Sequence, residues 1–269
     1  PKHATLALAE VAEALDSPPP PDFRKLKPLL REFTRLPDVD ASPELQGELR
    51  SYQKIGLNWM SFLSKTRLGG ILADDMGLGK TLQTLCLLRN TKGRHLVVAP
   101  TSVLHNWNSE SSKFFPTMRV CVYHGPQRKL DKTANIVLTS YALLRLDPIV
   151  LKTSWKTVIL DESQAIKNPE SQTAQAAFQL KAQHRFALTG TPVENRLEEL
   201  WSQFHFVMPG FLGGKKHFIE TYSKPIEAGE STAAETLRRR IKPFILRRLK
   251  SEVAPELPPL TQLVLRCSM

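Results

Sequence analysis

Residues 69–81, GGILADDMGLGKT, carry the side chains and the spacing of a phosphate cradle. An apolar strand leads into a turn with Gly77 and Gly79, and Lys80-Thr81 open an apolar helix. Glycine lets the backbone turn tightly and aim successive N–H groups inward, where a side chain would block an anion. The helix that follows brings its positive N-terminal end to the same point. Lys80 supplies a mobile cation for β- and γ-phosphates, and the Thr81 hydroxyl can join a Mg²⁺ shell. The nucleotide-binding set read here is Asp75, Met76, Gly77, Leu78, Gly79, Lys80 and Thr81. One position departs from the strict pattern: Asp74 stands where a glycine is expected, five residues before Gly79.

A second group lies at residues 158–162, VILDE, where an apolar run ends in two adjacent carboxylates. Neighbouring side chains on a strand point in different directions, so the two acids can do different work. Asp161 can hold Mg²⁺, while Glu162 can act on the water that attacks a γ-phosphorus if it is partly desolvated. Two solvated acids at a strand end would have the same spelling; the glycine loop upstream favours phosphoryl chemistry. The seven histidines share no metal-ligand spacing, and no Ser–His–Asp or Cys–His constellation is present.

The elements that must position these groups recur as short apolar runs: GGILA, RHLVVA, RVCVY, NIVLT, TVILD and RFALT, with helical segments between them. Near-continuous apolar strands are buried on both faces, which predicts an α/β fold with a doubly wound, mainly parallel sheet. Ligands of such sheets sit at the carboxyl ends of the strands, where the polar groups fall. After about Arg196 the strands are expected to stop and a helical, aromatic-rich segment to follow. Upstream, Thr5–Leu15 reads as an amphipathic helix ending at the stiff Ser17–Pro21 linker. Trp59, Trp107, Trp155 and Trp201 sit in apolar contexts and are read as core.

With 37 Lys and Arg against 26 Asp and Glu, the 269-residue chain carries +11. That excess suits a polyanionic partner, although many soluble proteins are basic. Cys86, Cys121 and Cys267 are too scattered for a zinc site and odd in number for a disulfide framework, which fits a reducing compartment. No run approaches a membrane span, so no membrane partner is expected. The chain opens on Pro1, as a piece of a longer polypeptide would.

Seven blocks in order carry a family resemblance: LRSYQKIGLNWM (49–60), ILADDMGLGKT (71–81), HLVVAPTSVLHNW (95–107), NIVLTSYALL (135–144), VILDESQAIKN (158–168), RFALTGTPVENRLEELW (185–201) and IKPFILRRLKSEV (241–253). The chain resembles the first motor lobe of a superfamily-two helicase, and more narrowly the Swi/Snf family of ATP-dependent DNA translocases. Asp74 is usual at its position in that family. The resemblance implies a RecA-like P-loop lobe over 48–201, a helical N-terminal appendage over 1–47, a helical insertion over 202–246, and a basic brace and linker over 247–269.

It also implies residue roles. Gln53 matches a glutamine that reads adenine, which an amide can do with one donor and one acceptor. Pro100 and Thr101, and then Thr139 and Ser140, match blocks that grip a nucleic-acid strand; hydroxyls at helix starts are equally natural caps. Thr189, Gly190 and Thr191 match the block coupling nucleotide state to the track, with hydroxyls within reach of Gln164. Gln164 is itself a departure, since DESQ stands where DEAH or DEGH is typical. The basic run Arg238, Arg239, Arg240, Lys242, Arg247, Arg248 and Lys250 reads equally as a DNA footprint, a solvated face or a brace.

The function implied is a DNA-dependent ATPase lobe using ATP and Mg²⁺, partnered by duplex DNA, a second lobe and a protein on the DNA. The alternatives are a strand-separating helicase and a non-catalytic nucleotide-binding module. An intracellular setting, bacterial rather than nuclear, follows from the DESQ spelling and the appendage by resemblance alone.

Overall fold

The computed structural model describes residues 36–191 and 197–253. The segment expected to form an N-terminal helix, the proline linker, Pro192, Cys267 and the end of the basic linker lie outside the described residues. In chain order the elements are α1 (Ser51–Lys65), β1 (Gly70–Leu72), α2 (Lys80–Asn90), β2 (His95–Ala99), α3 (Thr101–Phe114), β3 (Val120–Val122) and β4 (Ile136–Ser140). There follow α4 (Tyr141–Leu146), α5 (Pro148–Lys152), β5 (Ser154–Leu160), α6 (Gln172–Phe178), β6 (Lys181–Leu188) and α7 (Leu197–Val207). The last are α8 (Lys215–Phe218), α9 (Lys224–Glu227), α10 (Ser231–Ile241), β7 (Ile245–Leu246) and α11 (Lys250–Val253).

The strands form one sheet in the order β3-β4-β2-β5-β6-β1-β7, with every pairing parallel. Each of the six apolar runs is a strand. Parallel strands need crossovers that cover the sheet, and every residue of β2 and β4 is accordingly buried. Helix α1 packs on β1, α3 on β4, and α7 on both β1 and β6. Trp59, Trp107 and Trp155 are fully buried and Trp201 nearly so, as their apolar settings predict.

Two expectations change. The strands do not stop at Arg196: Ile245–Leu246 return as the edge strand β7, paired in register with Ile71 and Leu72. Helix α7 also belongs to the layer against the sheet, burying Leu200, Phe204 and Phe206. The helical excursion therefore runs between α7 and β7. Nor does the basic run share one fate. Arg238 and Arg239 are exposed, Arg240 donates to the Phe211 carbonyl (2.9 Å) and the Tyr222 hydroxyl (3.1 Å), and Arg248 is buried.

At the opposite edge of the sheet from the candidate site, His95 and His184 are buried on β2 and β6. Burial first, with Lys156 near both and Arg67 near His184, lowers each from 6.5 to about 4. The folded state thus prefers neutral rings, and the unfolded chain binds more protons between those values. Stability should be intact above about pH 6.5 and fall as pH drops toward 4, by a few kcal/mol in all. Urea unfolding at pH 7.5 and 5 should show that loss, and a His95→Gln/His184→Gln double variant should flatten it. An equal loss in the double variant would assign it to other groups.

Candidate active site

Because every strand runs the same way, the carboxyl ends of β1, β2, β4, β5 and β6 deliver their following residues to one edge. The order β5-β6-β1 sets a single strand between the glycine loop after β1 and the Asp-Glu pair after β5. Two strand spacings, about 10 Å, therefore separate them. Into the gap β6 delivers Thr189, Gly190 and Thr191. The sequence motifs are brought together by topology rather than by proximity in the chain.

In the loop, Gly77 and Gly79 adopt φ of 84° and 71°, the left-handed region that favours glycine. A Cβ on Gly79 would also stand 2.4 Å from Gln53 Nε2. Gly79 is the N-cap of α2 and supplies no side-chain cap, so the first N–H groups of that helix are left for another acceptor. Lys80 folds back on the loop, donating to the carbonyls of Asp74 (2.7 Å) and Asp75 (3.2 Å). Burial lowers its pKa, opposed by the negative charges of Asp74, Glu162, Asp161 and Asp75. Gly190 comes close above it: a Cβ there would lie 3.0 Å from Met76 Cγ and 3.8 Å from Lys80 Nζ.

Asp161 is only 7% exposed, yet each of its oxygens has a donor. Trp107 Nε1 donates to Oδ2 at 2.7 Å, and the Glu162 N–H donates to Oδ1 at 2.9 Å. Its pKa is nevertheless raised, by burial first and by Glu162, against the lowering effects of Trp107 and Lys80. Glu110, on the same helix as Trp107, is raised by burial and by Asp161. Carboxylates thus converge here with Lys80 as the nearby amine, an environment that a divalent cation would relieve. Tyr141 fixes the strand end by donating to the Asp161 carbonyl at 2.7 Å.

Glu162 sits at φ 47°, a left-handed conformation rare for a residue with a side chain and a form of strain that concentrates at functional sites. The twist turns its carboxylate toward Gln164, whose Nε2 donates to Glu162 Oε2 at 2.9 Å. Gln164 Oε1 in turn accepts from Thr189 Oγ1 at 3.2 Å, and the Thr189 and Thr191 hydroxyls are 2.9 Å apart. A continuous polar chain therefore links the β5 acid to the block after β6. Helix α7 steadies the turn beneath it: Gln203 accepts from the Ser163 hydroxyl (2.9 Å), and the Ser202 hydroxyl donates to the Ile166 carbonyl (2.5 Å).

Other expected site residues divide. Gln53 lies beside the loop, its amide spanning from the Arg50 N–H (3.0 Å) to the Leu78 carbonyl (3.3 Å). To meet a base it would exchange those partners. Pro100 precedes α3, whose first residues, Thr101 and Ser102, are exposed. Thr139 is fully buried with its hydroxyl on the Tyr123 carbonyl (3.2 Å), and Ser140 caps α4 by accepting from the Leu143 N–H (3.3 Å). Those two hydroxyls do the work of caps and fillers, so contact with a nucleic-acid strand there would fall to backbone groups. Sequence reasoning took Trp107 as core and passed over Gln83, Tyr141 and Glu110. The i, i+3 spacing of Trp107 and Glu110 on one helix is the available signal for Glu110.

The pattern describing the SNF2-related domain matches residues 52–269. YwqA of Bacillus subtilis is 44% identical over 255 residues, covering 87% of this chain and 28% of that protein. Helicase SWR1 of Cryptococcus neoformans is 41% identical over 261 residues, covering 84% of this chain and 21% of the relative. The Sulfolobus solfataricus SWI2/SNF2 ATPase core in complex with dsDNA superposes with a TM-score of 0.76 at 43% identity, over 78% of this chain and 46% of that one. The chain thus spans less than a third of these curated relatives, which are both bacterial and eukaryotic. Among the described residues no helix is long and apolar enough to cross a membrane. With its parallel sheet, glycine loop and Asp-Glu pair, this chain belongs to the SNF2-related domain family and has the RecA-like fold of the SWI2/SNF2 ATPase core.

Proposed function

We propose that the chain is the ATP-binding motor lobe of a DNA-dependent ATPase that moves along duplex DNA, acting with a second lobe. The observation that carries this reading is the path from Glu162 through Gln164 to Thr189 and Thr191, one strand away from Lys80. A phosphate held on the loop would lie against the β6 residues that stand between the loop and the acid, so a change at the γ-position would be felt along that path.

Within this reading the loop N–H groups and the α2 N-terminus take the β-phosphate, and Lys80 leaves its two carbonyls for the β- and γ-oxygens. Thr81 and Asp161 would hold Mg²⁺, and the chemistry it would supply there is neutralisation of phosphate charge. Glu162 orients the attacking water, and Gln53 meets the adenine edge. The exposed start of α3, with Thr101, faces the DNA beside this edge. That the Sulfolobus core is bound to dsDNA supports duplex DNA as the track. The relatives extend well beyond the matched region, which supports a second lobe supplying the arginines that stabilise a transferring phosphoryl group.

In the full-length protein, Lys80→Ala should weaken nucleotide binding and abolish DNA-stimulated turnover. Glu162→Gln should keep ATP bound while cutting kcat by about 10²–10⁴-fold. Equilibrium binding of a fluorescent ATP analogue beside steady-state hydrolysis separates the two effects. Normal hydrolysis by Glu162→Gln would remove this residue from the water-activating role.

The 269-residue chain alone should hydrolyse ATP on the order of a thousandfold more slowly than the full polypeptide, and duplex DNA should not rescue it. Full DNA-stimulated activity in the short chain would exclude a necessary second lobe. A triplex-displacement assay positive beside a negative forked-duplex assay would favour translocation over strand separation.

A further inference from the structure

A polar centre behind the phosphate loop is used by none of the roles above. Arg248, the second residue past β7, is 8% exposed, and its acid partner Asp74 is fully buried. Arg248 Nε donates to Asp74 Oδ1 at 2.9 Å, and Nη2 donates to Asp74 Oδ2 and to Gln83 Oε1, the latter at 2.8 Å. Nη1 donates to the Tyr52 carbonyl, and the guanidinium lies 5.5 Å from the Tyr52 ring centroid. Gln83 carries the connection onward, donating to the carbonyls of Leu78 (3.2 Å) and Gly79 (3.3 Å). One guanidinium therefore holds the loop directly at its first residue and, through Gln83, at its last two.

The rest of the segment grips the same loop. The Asp75 N–H donates to the Arg248 carbonyl (3.1 Å), and the Lys250 N–H donates to Asp75 Oδ2 (3.0 Å). Val253 packs on Leu78 and Tyr52. The centre is built without slack: a Cβ on Gly56 of α1 would stand 1.9 Å from Gln83 Oε1 and 3.0 Å from Arg248 Nη2.

We propose that Arg248 is a positioning residue for the phosphate loop, and that by fixing both ends of Asp74–Gly79 it sets nucleotide affinity without touching the reacting atoms. The proposal rests on the ATP reading above. A loop whose amides already converge binds an anion without the cost of ordering itself first. A guanidinium–carboxylate fork fixes direction as well as distance, which the point charge of lysine does not. The chain leaving β7 is by the same bonds attached to the loop, so moving that chain acts on nucleotide binding.

The test uses the full-length protein, titrated with a fluorescent ATP analogue and assayed for hydrolysis at saturating ATP. Arg248→Lys should raise the nucleotide Kd and the KM for ATP about tenfold while kcat stays within about threefold. A purely structural role would instead lower the active fraction, and with it kcat, at unchanged Kd. Should Arg248→Lys not fold, Gln83→Met keeps the ion pair and the volume but cuts the link to Leu78 and Gly79, and should raise Kd several-fold with kcat preserved. An unchanged Kd in whichever variant is folded by circular dichroism, or a fall in kcat alone, overturns the proposal. Wild-type protein that binds no nucleotide would overturn the ATP reading instead, and Lys80→Ala reports on that reading independently.

Discussion

The structure depends on one geometric constraint: the strand carrying the phosphate loop and the strand carrying the acids are separated by a single parallel strand. Parallel register sends all three strand ends to the same edge, and β6 fills the gap with Thr189, Gly190 and Thr191. The crossover helices that parallel pairing demands are also what bury Asp161, since Trp107 on α3 covers it. Fold and electrostatics at this edge are consequences of one another.

The charges gathered there explain the resting posture of the loop. Asp74, Asp75, Asp161 and Glu162 all act on Lys80, yet burial still depresses its pKa, and its amine rests on two carbonyls. Asp161 is pushed the other way, upward, because its surroundings are dry and Glu162 is adjacent. A lysine with lowered basicity and an acid with raised basicity, near each other but each bonded elsewhere, are poised for a ligand that brings both negative phosphates and a divalent cation. Such a ligand answers both perturbations at once.

Much of this was legible in the sequence, for reasons that differ by residue. The five interior strands announced themselves because burial on both faces demands unbroken apolar runs such as HLVVA and IVLTS, and the edge strand β3 did so through its β-branched run RVCVY. Strand β7 did not, because the two apolar residues Ile245–Leu246 look the same in a helix, a strand or a loop; only pairing with β1 decides. The loop lysine and the Asp-Glu pair were readable because their chemistry fixes their spacing. Thr139 and Ser140 show the reverse: a hydroxyl at a helix start is chemically suited both to capping and to a phosphate, and the choice is made by burial. Arg248 was readable only as one charge in a basic run, because its partner is 174 residues away.

Asp74 and Gln164, the two departures from common spelling, turn out to be the residues through which the site is tied to its surroundings. A glycine at position 74 would leave Arg248 with no carboxylate, and a buried guanidinium without one is strongly destabilising. The acid at 74 and the arginine at 248 therefore have to be retained or replaced together. Gln164 ties the other side. Its amide donates to Glu162 and accepts from Thr189 in a fixed polarity, because an amide has one donor end and one acceptor end at every pH. An imidazole in its place would lose the acceptor on protonation, and the path from the acid to the β6 hydroxyls would then open and close with pH. With glutamine the path stays closed across the physiological range, and what can interrupt it is movement of β5 against β6 or a ligand arriving between them.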